Sequence, residues 1–182
     1  MKSSYNNTLN YGDLLSFVCW NKNPRKIVEI GILQGYSLSV FCKYSKEDSK
    51  IDAFDIFDEF NGNGANRKDI ENLFKSEKKV NIDYGDFYKL KDKYEDNSID
   101  ILHVDIANNG DVYEYVFDNY ISKIKKDGLI ILEGGSEERD NIEWMKKYNK
   151  PSMNNILQKY KEKYEILTLG CVPSITFIKN NK

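Results

Sequence analysis

Short apolar runs alternate with amphipathic stretches along nearly the whole chain, and that alternation narrows the fold more than any other feature of the sequence. Five runs read as strands: KIVEI (Lys26–Ile30), IDAFD (Ile51–Asp55), VNID (80–83), SIDILHVD (Ser98–Asp105) and LIILE (Leu129–Glu133). Each is short and mostly apolar, as strands buried on both faces are. Helical patterns lie between them, which predicts a parallel sheet layered between helices. One such pattern places Val112, Val116, Tyr120 and Ile124 at four-residue steps, with Asp111 as N-cap and Asp127-Gly128 as its stop. Pro151-Ser152 opens another, with Met153, Ile156, Leu157 and Tyr160 on one face. The chain finishes with YEILTL, the turn GCVP, and SITFIK, whose alternation suits an edge strand. Strands joined that closely must pair antiparallel, because a parallel return needs a crossover of about a dozen residues.

At 182 residues with 40% hydrophobic content, the chain can bury a core of its own, and one domain spanning 1–182 is expected. Within it, residues 1–24 read as a helical N-terminal segment, with a short helix around Asp13 to Trp20, and 25–182 as the layered core. There are 29 acidic against 27 basic residues and no basic stripe, so nucleic acid is not the electrostatically favoured partner. No apolar run approaches the roughly 20 residues needed to cross a bilayer, and MKSSYNNTLN has no signal-peptide apolar region. A soluble, cytoplasmic protein is the expectation. Cys19, Cys42 and Cys171 are odd in number and widely spaced, which reads as buried thiols, not a disulfide frame or a zinc knuckle. The segment Glu59 to Asp69, EFNGNGANRKD, reads as a surface loop that could also close over a ligand.

The junction KIVEIGILQGYSLS carries the first functional signal. In an open parallel sheet, ligands bind at the carboxyl ends of the strands near the point where strand order reverses, and the first strand normally supplies that point. Gly31 sits where the backbone must leave strand one, Gly35 sits just before the helix, and Ser37 can cap that helix or hydrogen-bond outward. Leu33 occupies the position where a dinucleotide fingerprint places another glycine, so a pyrophosphate cradle is incomplete. Glu29, one residue before the turn, would repel phosphates but suit a cationic amino-acid moiety or a ribose hydroxyl. Asp55 ends strand two, where an acid can accept the hydroxyls of a ribose, and Asp86 in YGDF follows strand three, where it could accept a hydrogen bond from an adenine amino group. Asp52 and Asp58 are weaker candidates. A lone acid at a strand end is usually just solvated; three at successive strand ends favour a ligand.

VEIGILQGYS, followed by AFDIF, YGDF, DILHVD and GLIILEGG, resembles the class I S-adenosylmethionine-dependent methyltransferases, particularly the small O-methyltransferase-like branch. The resemblance runs from about Lys26 to Leu132. It implies a Rossmann-like three-layer α/β/α sandwich with a mostly parallel seven-stranded sheet and an antiparallel C-terminal strand. It also implies that Glu29, Gly31, Gly35 and Ser37 border the methionine part of S-adenosyl-L-methionine, Asp55 the ribose and Asp86 the adenine.

Chemistry is expected after strands four and five. Asp105 and Glu133 end neighbouring strands, and His103 shares a strand face with Asp105. Three readings stay open. Asp105 or His103 is a general base; or Asp105 and Glu133, with Asn108, Asn109 or Asp111, bind magnesium; or Asp105 contacts the cofactor and His103 is a core histidine. Relatives often carry Asp-Gly-x-His after strand four, whereas this chain reads DIANNGDVY, and metal-dependent ones carry Asp-Asn after strand five, where this chain has Glu133-Gly134. Trp144 and Tyr148 could line an acceptor pocket or form a surface helix, and Arg139 could grip an anionic acceptor. The reading is a methyltransferase for a small-molecule hydroxyl, its pocket built from the loops after strands four and five or completed by a second subunit in a homodimer. The rivals are a non-catalytic nucleotide-binding or assembly subunit and a nicotinamide-dependent oxidoreductase. The second is disfavoured by the incomplete fingerprint and the lack of any Tyr-x-x-x-Lys.

Overall fold

The computed structural model describes residues 10–57 and 63–181. Most of the MKSSYNNTLN start, Asp58 and the first part of the Glu59–Asp69 segment lie outside the described residues. Helix α1 (Tyr11–Lys22) leads into β1 (Lys26–Ile30), α2 (Tyr36–Tyr44), β2 (Lys50–Asp55), α3 (Arg67–Leu73), β3 (Val80–Tyr84), α4 (Phe87–Leu90) and β4 (Ile99–Val104). Then come α5 (Gly110–Tyr115), β5 (Ile124–Glu133), α6 (Glu137–Asp140), α7 (Glu143–Lys147), α8 (Met153–Tyr160), β6 (Glu165–Gly170) and β7 (Ser174–Lys179). The seven strands form one sheet in the order β3-β2-β1-β4-β5-β7-β6. The first five run parallel, and β7 is antiparallel to both β5 and β6. This is the layered α/β/α arrangement the motifs implied.

Strand alternation sends side chains to opposite faces, each with its own core. Val28, Ile30, Leu102, Val104, Ile130 and Leu132 pack with α5, the helical turn that follows it and α8 through Val112, Tyr113, Val116, Met153 and Leu157. Ile27, Ile51, Ala53, Ile101 and Ile131 pack with α1, α2 and α3 through Leu15, Cys19, Leu38, Phe41 and Ile70. Glu29 and His103 sit in register on paired strands and share this second face.

Several expectations need correction. The four-residue apolar ladder after β4 is not one α-helix: α5 ends at Tyr115, continues as π-helix over Val116–Tyr120 and a 3₁₀ turn over Ile121–Lys123, and Ile124 already belongs to β5. Its N-cap is Asn109, whose side chain accepts from the Asp111 amide, not Asp111 itself. Asp127-Gly128 forms a bulge inside β5, between the pairs Ile99–Ile124 and Ile101–Leu129, pinned by Asp127 N–H to Asn180 and Asn180 N–H to Gly128. SITFIK is an inner strand and β6 is the edge. The segment through Asp69 is not all loop, since Asn66 caps α3 from Arg67 onward. Cys19 and Cys42 are buried, whereas Cys171 is exposed. Burial comes first among the causes that push the Cys19 and Cys42 thiols up to about 12, so neither is a nucleophile at neutral pH.

Candidate active site

A cleft of about 820 Å³ opens at the carboxyl ends of the strands, where the order reverses between β1 and β4. Its wall carries residues from every loop the sequence nominated: Gly31 and Ser37 after β1, Asp55 at the end of β2, Asp86 after β3, His103 and Asp105 at the end of β4, and Glu133 at the end of β5. Glu29 and Gly35 lie just outside that lining. The volume is within the roughly 300–1,000 Å³ of ordinary small-molecule sites.

Close approach explains the first glycine. Gly31 has φ +95°, and a Cβ there would stand 1.9 Å from the carbonyl oxygen of Asp105. The turn must therefore be bare for β1 and β4 to meet at the rim. Gly35 has φ +79° and a Cβ there would meet the Phe74 ring at 2.9 Å, so its bareness lets α2 start against α3's end. Ser37 does not cap α2, which begins at Gly35 with no side-chain cap. Its hydroxyl donates to Oε1 of Glu29.

The acids divide by how fully their oxygens are engaged. Asp55 accepts from the amides of Ile32 (2.7 Å) and Leu33 (3.3 Å) on one oxygen, and from the Phe57 amide (2.8 Å) and the Asn63 side chain (2.7 Å) on the other. It ties the β1 and β2 loops together, and only the Asn63 contact is a side-chain one. Asp86 caps α4 by accepting from the Tyr88 amide at 3.0 Å and pairs with Lys89 at 3.2 Å. Glu133 is clamped by Arg139, with Nε to Oε1 at 2.7 Å and Nη2 to Oε2 at 3.0 Å. Burial outweighs that pairing and holds its carboxyl above the ordinary value. Asp105 alone among these acids is exposed and makes no side-chain hydrogen bond or ion pair among the described residues, while its backbone amide donates to Ile30.

Other expectations move accordingly. Arg139 is committed to Glu133 and does not line the cleft. With both Glu133 oxygens taken, the Asp105–Glu133 pair is not a ready cation site, and no group of three or more His, Cys, Asp or Glu suited to a metal occurs among the described residues. Asn108 bridges the strand ends by donating to the Val104 and Glu133 carbonyls at 3.0 and 2.9 Å. Trp144 packs on the core and Tyr148 is exposed away from the cleft. Sequence reasoning missed Tyr11, Tyr36, Tyr88 and Lys150, which also border the cleft. Nothing in their spacing marks them, because they arrive from α1, α2, α4 and the loop before α8.

His103 is almost fully buried but borders the cleft. Its Nδ1 lies 3.0 Å from Oε1 of Glu29, which is itself wholly buried, and Phe41 packs edge-on against the ring. Burial is the largest single influence and lowers the imidazole's proton affinity, yet the hydrogen bond to Glu29 and the charges of Glu29 and Asp105 outweigh it and raise the net value.

A family model described as a methyltransferase domain matches residues 28–133, more than half of the chain. The chain belongs to that family. The class I methyltransferase likeness read from the motifs holds for family and for fold. Solved structures that resemble this methyltransferase include the O-methyltransferase TomG from Streptomyces achromogenes, involved in tomaymycin synthesis and crystallised with S-adenosylmethionine (SAM). It is 14% identical, with 96% of this chain and 82% of that chain covered and a TM-score of 0.73. The O-methyltransferase from Bacillus cereus in complex with S-adenosylhomocysteine (SAH) is 16% identical, covering 98% and 84%, with a TM-score of 0.67. SAH-bound PaMTH1 from Podospora anserina is 16% identical, covering 94% and 78%, with a TM-score of 0.67. At those identities the likeness concerns the fold. No curated protein matches the chain in a sequence comparison. No helix among the described residues is long and apolar enough to cross a membrane.

Proposed function

We propose that the methyltransferase moves a methyl group from SAM to a hydroxyl of a small molecule, of the sugar, phenol or secondary-metabolite kind. The observation that carries this reading is Asp105: a carboxylate without a side-chain partner at the mouth of the reversal-point cleft, flanked by acids whose oxygens are already engaged.

The residues fit the cofactor. Gly31 brings backbone to the rim, Asp86 faces the cleft from the start of α4 where an adenine amino group would meet it, and Asp55 stands at the end of β2 where the ribose would lie. Asp55 reaches a ribose hydroxyl once Asn63, its only side-chain donor, gives way. When bound, SAM would supply an electrophilic methyl carbon on its sulfonium, with SAH as the leaving group once the acceptor oxygen takes the methyl and the carbon–sulfur pair stays with sulfur. The protein's part is alignment and proton removal. Asp105 takes the hydroxyl proton and later releases it to water. Tyr11 and Tyr36 also line the cleft and add apolar ring faces to its wall.

Calorimetry with SAH and with NADH tests the cofactor, and a methyl-acceptor screen with and without magnesium tests the reaction. Binding of SAH and not NADH is expected. Asp105→Asn should keep SAH affinity within about twofold and lower kcat by roughly 10²–10⁴ on any acceptor found. Full activity in that variant would remove Asp105 from the chemistry, and loss of SAH binding by the wild-type chain would remove the cofactor.

A further inference from the structure

The Glu29–His103 pair is a buried ionisable couple, at the wall of the cleft, that the proposed reaction leaves unused. Glu29 is 0% exposed, and its Oε1 receives both the Ser37 hydroxyl and the His103 Nδ1 at 3.0 Å, while Oε2 is buried without a partner. A carboxylate so deeply placed needs a compensating charge, since two neutral donors on one oxygen do not replace its lost hydration. No lysine or arginine reaches it among the described residues, which leaves His103 as the contact able to carry that charge. The other nitrogen, Nε2, has no hydrogen bond among the described residues, and the ring borders the cleft two positions before Asp105, which directly follows β4 and continues its pairing through N–H to Ile30. That spacing sets the two Cα atoms roughly 6.5 Å apart, close enough for one acceptor oxygen to meet both side chains.

We propose that His103, held as an imidazolium against the buried carboxylate of Glu29, donates its Nε2–H to the acceptor oxygen and so loosens the hydroxyl proton that Asp105 removes. The inference rests on the reading of the cleft as a methyl-transfer site. His103 keeps its own proton throughout. The acceptor's proton goes to Asp105, and the oxygen's developing negative charge meets a preorganised cation in a site of low dielectric. Glu29 is a positioning residue, because accepting from Nδ1–H fixes the ring so that only Nε2–H faces the cleft. The groups around the ring agree with this: Glu29 from β1 and Asp105 just after β4 are the acids that act on it, Phe41 from α2 packs on it, and its neighbour on β5 is Ile131. The balance of these influences raises the imidazole's proton affinity despite burial.

His103 is the chain's only histidine, so its ring is directly readable by ¹⁵N and ¹³C NMR in the intact protein. The wild-type ring in the SAH complex is expected to be an imidazolium at neutral pH, with a midpoint above that of free histidine. The midpoint should fall in Glu29→Gln, and catechol, used as probe acceptor, should shift the Nε2 resonance. His103→Gln, which keeps a donor without the charge, should lower kcat for catechol methylation at least about tenfold with SAH affinity within about twofold. A neutral ring at neutral pH in the wild-type protein overturns the proposal whether or not catechol is turned over. So does full kcat in His103→Gln. Failure of SAH to bind would instead strike the methyl-transfer reading, leaving the ring's charge to be judged by its own titration.

Discussion

Gly31 and Asp105 meet backbone to backbone: a Cβ on Gly31 would lie 1.9 Å from the Asp105 carbonyl oxygen, and the Gly31 φ of +95° is one that side-chain-bearing residues rarely adopt. The turn after β1 and the end of β4 are thus one joint, further tied by the Asp105 amide donating to Ile30. Gly31→Ala is expected to cost about 3 kcal/mol or more, because strain and overlap with backbone add and neither can relax by rotating a side chain. A urea midpoint close to wild type would show that the joint is looser than this.

Arg139 holds Glu133 in a two-pronged pair that is only 11% and 22% exposed at the two side chains. Removing the arginine leaves a largely buried carboxylate without its partner. Arg139→Ala should lower stability by about 2–3 kcal/mol. In the double variant Arg139→Ala, Glu133→Gln, much of the loss should return, because no charge is then stranded. Chemical denaturation of the four proteins of this cycle measures the coupling.

Asp55 organises two loops at once through three backbone amides and Asn63. Asp55→Asn turns one oxygen into a donor that faces N–H groups. Stability is expected to drop by about 2 kcal/mol, and SAH affinity at least about tenfold. If calorimetry found SAH affinity intact, the cofactor would have to be held elsewhere in the cleft.

The Glu29–His103 pair gives stability a pH dependence with a definite sign. The folded-state proton affinity of His103 is raised above the ordinary value of 6.5. Its contribution is therefore fully present below about pH 6.5 and is lost as pH rises through the folded value. Wild-type urea midpoints should show this decline toward alkaline pH, and His103→Gln should abolish that component. An identical pH profile in the two proteins would mean that the ring does not change charge on unfolding.

Much of the architecture was legible along the chain because it rests on local repetition. Runs buried on both faces must be apolar, so the strands around Val28, Ala53, Leu102 and Ile131 announce themselves. The motif order around Glu29, Gly31, Asp55, Asp86 and Asp105 located the cleft, since strand ends in a parallel sheet converge on one edge. Where periodicity misled, two structures shared one pattern: the ladder from Val112 to Ile124 fits a helix, but Ile124 finds a better partner in Ile99 of the adjacent strand.

What sequence alone determined is the layered fold, the family and the set of acids at the rim, because each is encoded in spacing and residue type. Only the tertiary structure decided which of those acids is free. Arg139 reaching Glu133, four donors converging on Asp55, and Ser37 and His103 closing on Glu29 are contacts between segments, and a carboxylate's partners depend on distances that no linear spacing records.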